Sequence, residues 1–273
     1  MAELIALLDG NEVGRVRSDA RGRLTFVYDN AWRNAEGAYP LSLSMPLAAE
    51  EHGPAAIQAF LWGLLPDNEQ VLEHWAKKFQ VSARNVFALI SNVGQDCAGA
   101  VQFVTPDRLE ALKTGRDDKI EWLDEPEIAN RLQALREDHA AWRLPGDTGQ
   151  FSFAGAQPKT ALVLKDGKWG IPSGRIPTTH TETADRPLRW SRRERAYLPA
   201  ARASRAPAAE TKVMRFEKEI AIAVERYDRQ VSGNDFIRVH QEDICQAMGI
   251  LPKNYQNEGG PPPVDIVELL RTY

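Results

Sequence analysis

The stretch Ser152-Phe-Ala-Gly-Ala-Gln-Pro-Lys159-Thr160 sets small residues beside a cation. Ala154, Gly155 and Ala156 let the backbone approach a ligand closely, since glycine has no Cβ and alanine nothing beyond it. With Lys159 after them, a polar loop between two strands suits a lid over phosphate. The GxxxxGK[ST] spacing of a Walker loop is absent. A plain β-turn explains the same residues without a ligand. A second candidate is Ala223-Val-Glu-Arg-Tyr-Asp-Arg229, where an apolar strand ends in alternating charges. Such a strand end offers backbone groups to an adenine in a two-lobed nucleotide-binding protein. It also reads as a solvated strand end. The third, His240-Gln-Glu-Asp-Ile-Cys-Gln-Ala, places Asp243 or Gln241 near a helix cap. His240 has no partner at metal-ligand spacing, so a surface histidine beside a cap is the simpler reading. No Ser-His-Asp order and no HExxH is present.

The elements around these candidates read as a mixed chain. ELIALLDGNEVGRVR is a β-hairpin turning at Asp9-Gly10, and RLTFVYD is a third strand with Leu24, Phe26 and Tyr28 on one face. LSLSMP reads as a short extended segment. A helix starts at Pro54 and is interrupted at Pro66. A second opens at Asp67, with Val71, Leu72, Trp75 and Phe79 on one face. A third spans Val81 to Ile90 with Ser82 as its cap. AGAVQFV is a strand. Residues 106–148 read as a helical connector, with a helix capped by Asp124 and striped by Ile128, Leu132 and Leu135. From 149 onward the pattern becomes strand–turn–strand: Thr160–Leu164, a turn at Asp166-Gly167, Lys168–Ile171, then Thr211–Phe216 and Ile220–Glu225. Helices begin near Asp243 and at Val264.

With 273 residues, the chain can bury one large core or two ordinary ones. A net charge of −4 argues against a nucleic-acid binder over the whole surface. Two distant cysteines, Cys97 and Cys245, suggest neither a disulfide framework nor a zinc site, which points to a reducing, cytoplasmic setting. The start MAELIALLDG is unlike a leader, and no run approaches the ~18 apolar residues of a membrane span.

In order, AGAQPKTAL, WGIPSGRIPTTH, AVERYDR, HQEDICQAMG and Gly-Gly-Pro resemble the HipA family. FLWGLLPDNEQ and VFALISNVGQDCAGAVQF are similar to that family's N-terminal subdomain. These proteins are bacterial serine/threonine kinase toxins of toxin–antitoxin systems. The resemblance implies an α+β fold: an N-terminal β-hairpin and helical subdomain (1–105), the connector, and a truncated protein-kinase-like domain (149–273) holding the small lobe and the start of the large one. It implies ATP and Mg2+ as cofactors. It implies a DNA-binding, HipB-like antitoxin as partner, with DNA met only through it, and a protein substrate such as an aminoacyl-tRNA synthetase. No membrane partner is expected. By resemblance, Ser152 is the serine whose autophosphorylation ejects the loop. Phe153, Ala154, Gly155, Ala156, Gln157, Pro158 and Lys159 cover the phosphates. Glu225, Arg226 and Tyr227 form the hinge that meets the adenine.

One stretch departs from the family. Residues 181–206 hold seven arginines against three acids and no apolar period. After Thr-Thr-His the family reads roughly I-L-K-P, whose lysine holds the ATP phosphates, and then a helix with E-N-E. With GC-rich codons chosen for Thr181 to Arg205 and preceded by AT, the neighbouring frame reads ILKPPIDRFDGHAENEHICLQLAQA. A displaced frame, later restored, is the expectation; a basic linker or an inserted loop are the alternatives. The family's D-x-H-x-K-N catalytic loop and later metal-binding aspartate are also not found before Tyr273. The expected function is therefore that of a kinase-toxin remnant without catalytic residues or metal ligands of its own. An antitoxin-binding or decoy module is the alternative. Apolar faces at Leu162, Leu164, Val213 and Ile222 are expected to be exposed.

Overall fold

A computed structural model describes residues 2–144, 147, 151–155, 157–183, 209–233, 235–252 and 259–272. Its N-terminal part is a five-stranded sheet with helices on it. Strands β1 (Ala2–Leu8) and β2 (Asn11–Ser18) form the expected hairpin. Asp9 and Gly10 both have positive φ, 46° and 83°, the mirror-image turn that matches the twist of paired strands. β3 (Leu24–Tyr28) buries Leu24, Phe26 and Tyr28 in alternation. With β4 (Glu51–His52) and β5 (Val101–Val104) the order is β4-β3-β2-β1-β5, every pairing antiparallel.

The helices follow their apolar faces and caps. A short α1 (Asn30–Arg33) is capped by Asp29, and α2 (Pro54–Trp62) has its proline in the first turn. α3 (Glu69–Phe79) is capped by Asn68 and buries Val71 and Trp75. α4 (Val86–Val93) starts later than its apolar run suggests. Asn85 Oδ1 accepts the Ala88 N–H, whereas Ser82 only takes the Arg84 N–H in a turn. LSLSMP is a turn and not an extended segment: the Met45 N–H reaches the Ser42 carbonyl. β1 is buried on both faces. Leu4, Ala6 and Leu8 enter the main core, while Ile5 and Leu7 pack with Leu112 of α5 (Pro106–Thr114).

Residues 106–148 do more than connect. α6 (Glu125–Glu137) has the expected cap, closed as a box by Asp124 and Glu127. Between α5 and α6, however, β6 (Lys119–Leu123) pairs with β8 and becomes an edge of the second sheet. That sheet runs β10-β11-β9-β7-β8-β6 and is antiparallel throughout. Its strands are β7 (Thr160–Lys165), β8 (Lys168–Ser173), β9 (His180–Thr183), β10 (Thr211–Phe216) and β11 (Glu219–Glu225). A hairpin of β12 (Arg229–Ser232) and β13 (Asp235–Arg238) follows, then α7 (Ile244–Met248), capped by Asp243, and α8 (Pro263–Thr272).

One expectation changes. Thr181–Thr183, at the start of the stretch expected to be aberrant, form β9 between β7 and β11, and positions 184–206 lie outside the described residues. With β9 in place Leu162 is fully buried and Leu164 and Ile222 partly so. Only Val213, on the edge strand β10, is exposed. One apolar cluster runs from Leu4 to Ala223, so the two sheets share a core.

Candidate functional site

The lid candidates lie where the two sheets meet. Phe151 makes a parallel bridge to Asp96, and the Ser152 N–H donates to the Asp96 carbonyl at 2.9 Å. The Ser152 hydroxyl is fully buried and donates to the Leu64 carbonyl at 2.7 Å. Phe153 is buried against Phe151, 5.3 Å between ring centroids, and the Arg226 guanidinium stands 4.4 Å above its ring. Gly155 has φ +107°, a region that glycine enters without strain. A Cβ there would meet Lys159 Nζ at 2.8 Å. Lys159 Nζ donates to the Ala154 carbonyl at 2.8 Å and lies 5.1 Å from the Trp142 ring. Burial holds its pKa below the usual lysine value, against the opposing pull of Asp67. Gln157 is exposed, Pro158 is half-buried, and Ala156 lies outside the described residues.

The hinge candidates divide. Glu225 and Tyr227 are exposed, and the Arg226 N–H pairs with the Thr179 carbonyl at 2.9 Å. The Arg226 side chain turns inward. Nε and Nη2 bind Asp228 at 2.9 and 2.7 Å, Nη1 binds Thr178 Oγ1 at 2.9 Å, and Nη2 also reaches the Cys97 carbonyl. Arg229 donates to Asp96 Oδ1 at 2.9 Å and to the Gly99 and Cys97 carbonyls. Arg238 also binds Asp96, and Asp228 accepts the Gly99 N–H at 2.7 Å.

All five charged groups are buried, three guanidiniums around two carboxylates. Burial works against ionising Asp96, yet Arg238, Arg229 and Arg226 hold its carboxyl well below the usual range. Burial, with Arg226 beside it, brings Arg229 down to about 9. Burial and the neighbouring Asp96 push the Cys97 thiol up to about 12, so it stays protonated at neutral pH. Asp96, Thr178 and Arg238 went unnoticed in the sequence. The one signal for them was Gln-Asp lying between two apolar runs at Gln95-Asp96.

His240 is not a surface residue. Its Nε2 lies 3.0 Å from the Leu41 carbonyl, and its ring packs on Tyr39 at 5.6 Å. The segment it opens is docked on the first sheet's helices. Glu242 accepts the Leu43 N–H at 2.8 Å, and Gln246 Nε2 donates to the Phe60 carbonyl at 2.8 Å. Asp243 and Gln246 close a capping box, so Asp243 rather than Gln241 is the cap.

β9 carries an anomaly. Glu182 stands opposite Thr160 and Ala223 with no exposure, and neither of its carboxyl oxygens has a hydrogen-bond partner. Burial pushes its pKa up to about 8, against the opposing pull of Arg131 and of its own backbone N–H. Beside it Thr160 Oγ1 is also buried without a partner. His180, on the same strand, is brought down to about 4 by burial and by Lys212. Among the described residues no three His, Cys, Asp or Glu side chains gather as a metal site, and no helix is long and apolar enough to cross a membrane.

Comparisons agree with this arrangement. Residues 4–104 match the family model of the HipA N-terminal domain, and residues 151–273 that of the HipA-like C-terminal domain. The chain is 36% identical to Y4mE of Sinorhizobium fredii, which is named as a kinase, over 96% of this chain and 63% of that protein. It is 29% identical to the serine/threonine-protein kinase toxin HipA of Shewanella oneidensis, over 91% of this chain and 56% of that one. A solved complex of Shewanella oneidensis HipA, HipB and operator DNA superposes with a TM-score of 0.75 at 26% identity. That match covers 96% of this chain and 60% of the solved one. The chain thus spans about three fifths of the length of the relatives it matches. Two HipA domain models in their order, relatives of that family and a matching fold place the chain in the HipA family.

Proposed function

We propose that the chain carries the lid and sheet of an ATP-dependent serine/threonine protein kinase toxin, and that as it stands it transfers no phosphate. The observation that carries this reading is a docked lid beside a β9 that has lost its cation. The lid residues fit a phosphate: Gly155 is bare at a positive φ, Lys159 stands over it, and Ser152 anchors the loop. A phosphoryl group on Ser152 Oγ has no room while that oxygen is buried against Leu64, so modification requires the loop to leave. β9 does not fit. The family resemblance places I-L-K-P from position 181, so the lysine falls at Thr183 and an apolar residue at Glu182. A partnerless carboxyl in the sheet interior is what a displaced reading frame would leave there. We derive no step through ATP or Mg2+ for this chain. Without the strand lysine on the phosphates, positioning and charge neutralisation both suffer, and phosphoryl transfer consists of little else.

The same chain would still hold a HipB-like, DNA-binding antitoxin. The fully packed first sheet and the relative solved with HipB and operator DNA support that reading. The test is to incubate the purified chain with Mg2+ and labelled ATP, with and without a HipB-like antitoxin. Antitoxin capture without label on Ser152 or on added protein is the expected result. Magnesium-dependent label sinks the inactive reading, and loss of capture sinks the antitoxin reading.

A further inference from the structure

Asp96 stands where the lid, the entry to β9 and the segment after β11 meet. Its backbone holds the lid: it bridges Phe151, and its carbonyl takes the Ser152 N–H. Its carboxylate holds everything else. Oδ2 accepts the Thr178 N–H at 2.9 Å and the Thr178 hydroxyl at 2.6 Å, while Oδ1 takes Arg229 and Arg238. The lid returns a contact, because Phe153 lies under Arg226, the partner of Asp228.

We propose that Asp96 and Arg226, 3.6 Å apart, act together as positioning residues that couple the docked lid to the conformation of residues 226–233 and 235–239. Three guanidiniums share two carboxylates here, out of water. An excess buried cation is costly, and an aromatic face offsets part of that cost. When the lid leaves, Arg226 loses its ring and gains water. Its grip on Asp228 weakens, and with it the two amides that Asp228 holds, Gly99 N–H through the carboxylate and Val239 N–H through the carbonyl at 3.0 Å. The state of the lid therefore reaches the junction of the two sheets through buried side chains. The coupling rests on contacts within the chain and needs no nucleotide, so it can fail while the phosphate-lid reading stands, and the reverse.

Hydrogen exchange on the full chain tests it. Phe153→Leu keeps the apolar bulk and removes the π face. Exchange at the Gly99, Thr178 and Val239 amides should quicken on the order of tenfold, with β1–β3 unchanged. Thr178→Val reads the coupling in the other direction. It removes the hydroxyl that donates to the Asp96 carboxylate and accepts from Arg226, leaves the carbonyl under Ser152 untouched, and should still quicken exchange of the Ser152 N–H. Effects confined to the substituted segment, no effect, or a rise shared equally by β1–β3 would each overturn the coupling.

Discussion

The two sheets share one apolar core but differ in what else they bury. In and against the first, Phe26, Phe60, Trp75 and Phe103 are at most 1% exposed, and each packs in that core. The second buries Glu182 without a partner, exposes Val213 on its edge strand, and hands on to a helix, α8, with Val264, Val267 and Leu270 exposed. The difference teaches where each region gets its order. Burial of apolar surface is non-directional, so no single contact in the first sheet has to be matched atom by atom. A polar group inside a sheet must be matched atom by atom, and one unmatched group costs as much as a good contact gains.

Three measurements sharpen or break that contrast. The largest effect belongs to Phe60→Ala. It opens a cavity in that core beside the first sheet and should cost about 3–5 kcal/mol in urea unfolding. A loss below 1 kcal/mol would mean that this core is not the anchor.

Next comes Glu182→Leu, which removes the orphan carboxyl. The folded-state pKa of Glu182 is raised to about 8 from a model-peptide value of 4.5. Its contribution is therefore fully present below about pH 4.5 and is lost as the pH rises through 8. The advantage of Glu182→Leu over the wild type should grow across that window, by up to about 1.4 kcal/mol per unit. A stability difference that does not change between pH 5 and 8 would show that Glu182 is paired or solvated. The smallest effect is expected from Lys113→Ala. Its ion pair with Glu12 lies on the surface of the first region, and thermal unfolding should register less than about 1 kcal/mol. A larger loss would mean that the outer face matters as much as the core.

Local pattern carried much of the fold. The Asp9-Gly10 hairpin, the alternation in β3, the Asp124 cap and the strands at 160, 168, 211 and 220 were all legible. Each depends on neighbours a few residues apart. β6 and β9 were not legible as strands. β6 is an edge whose alternation is mostly exposed, and β9 is four residues with no apolar run. What makes β9 a strand is that β7 and β11 leave their backbone groups facing the same gap. The site divides the same way. The lid's small residues and Lys159 stood out by type, and Arg226 by its place among alternating charges. That Arg226 turns away from the strand end, toward Asp96 some 130 positions earlier, depended on the two sheets meeting.

By itself, then, the sequence determined the elements whose signal is periodic or capped, and the small residues and lysine of the candidate lid. Only the tertiary structure decided which charges are buried together, that Ser152 is locked against Leu64, and that Glu182 is stranded. Periodicity and capping act over a turn or two of chain. Desolvation depends on what the rest of the molecule brings alongside.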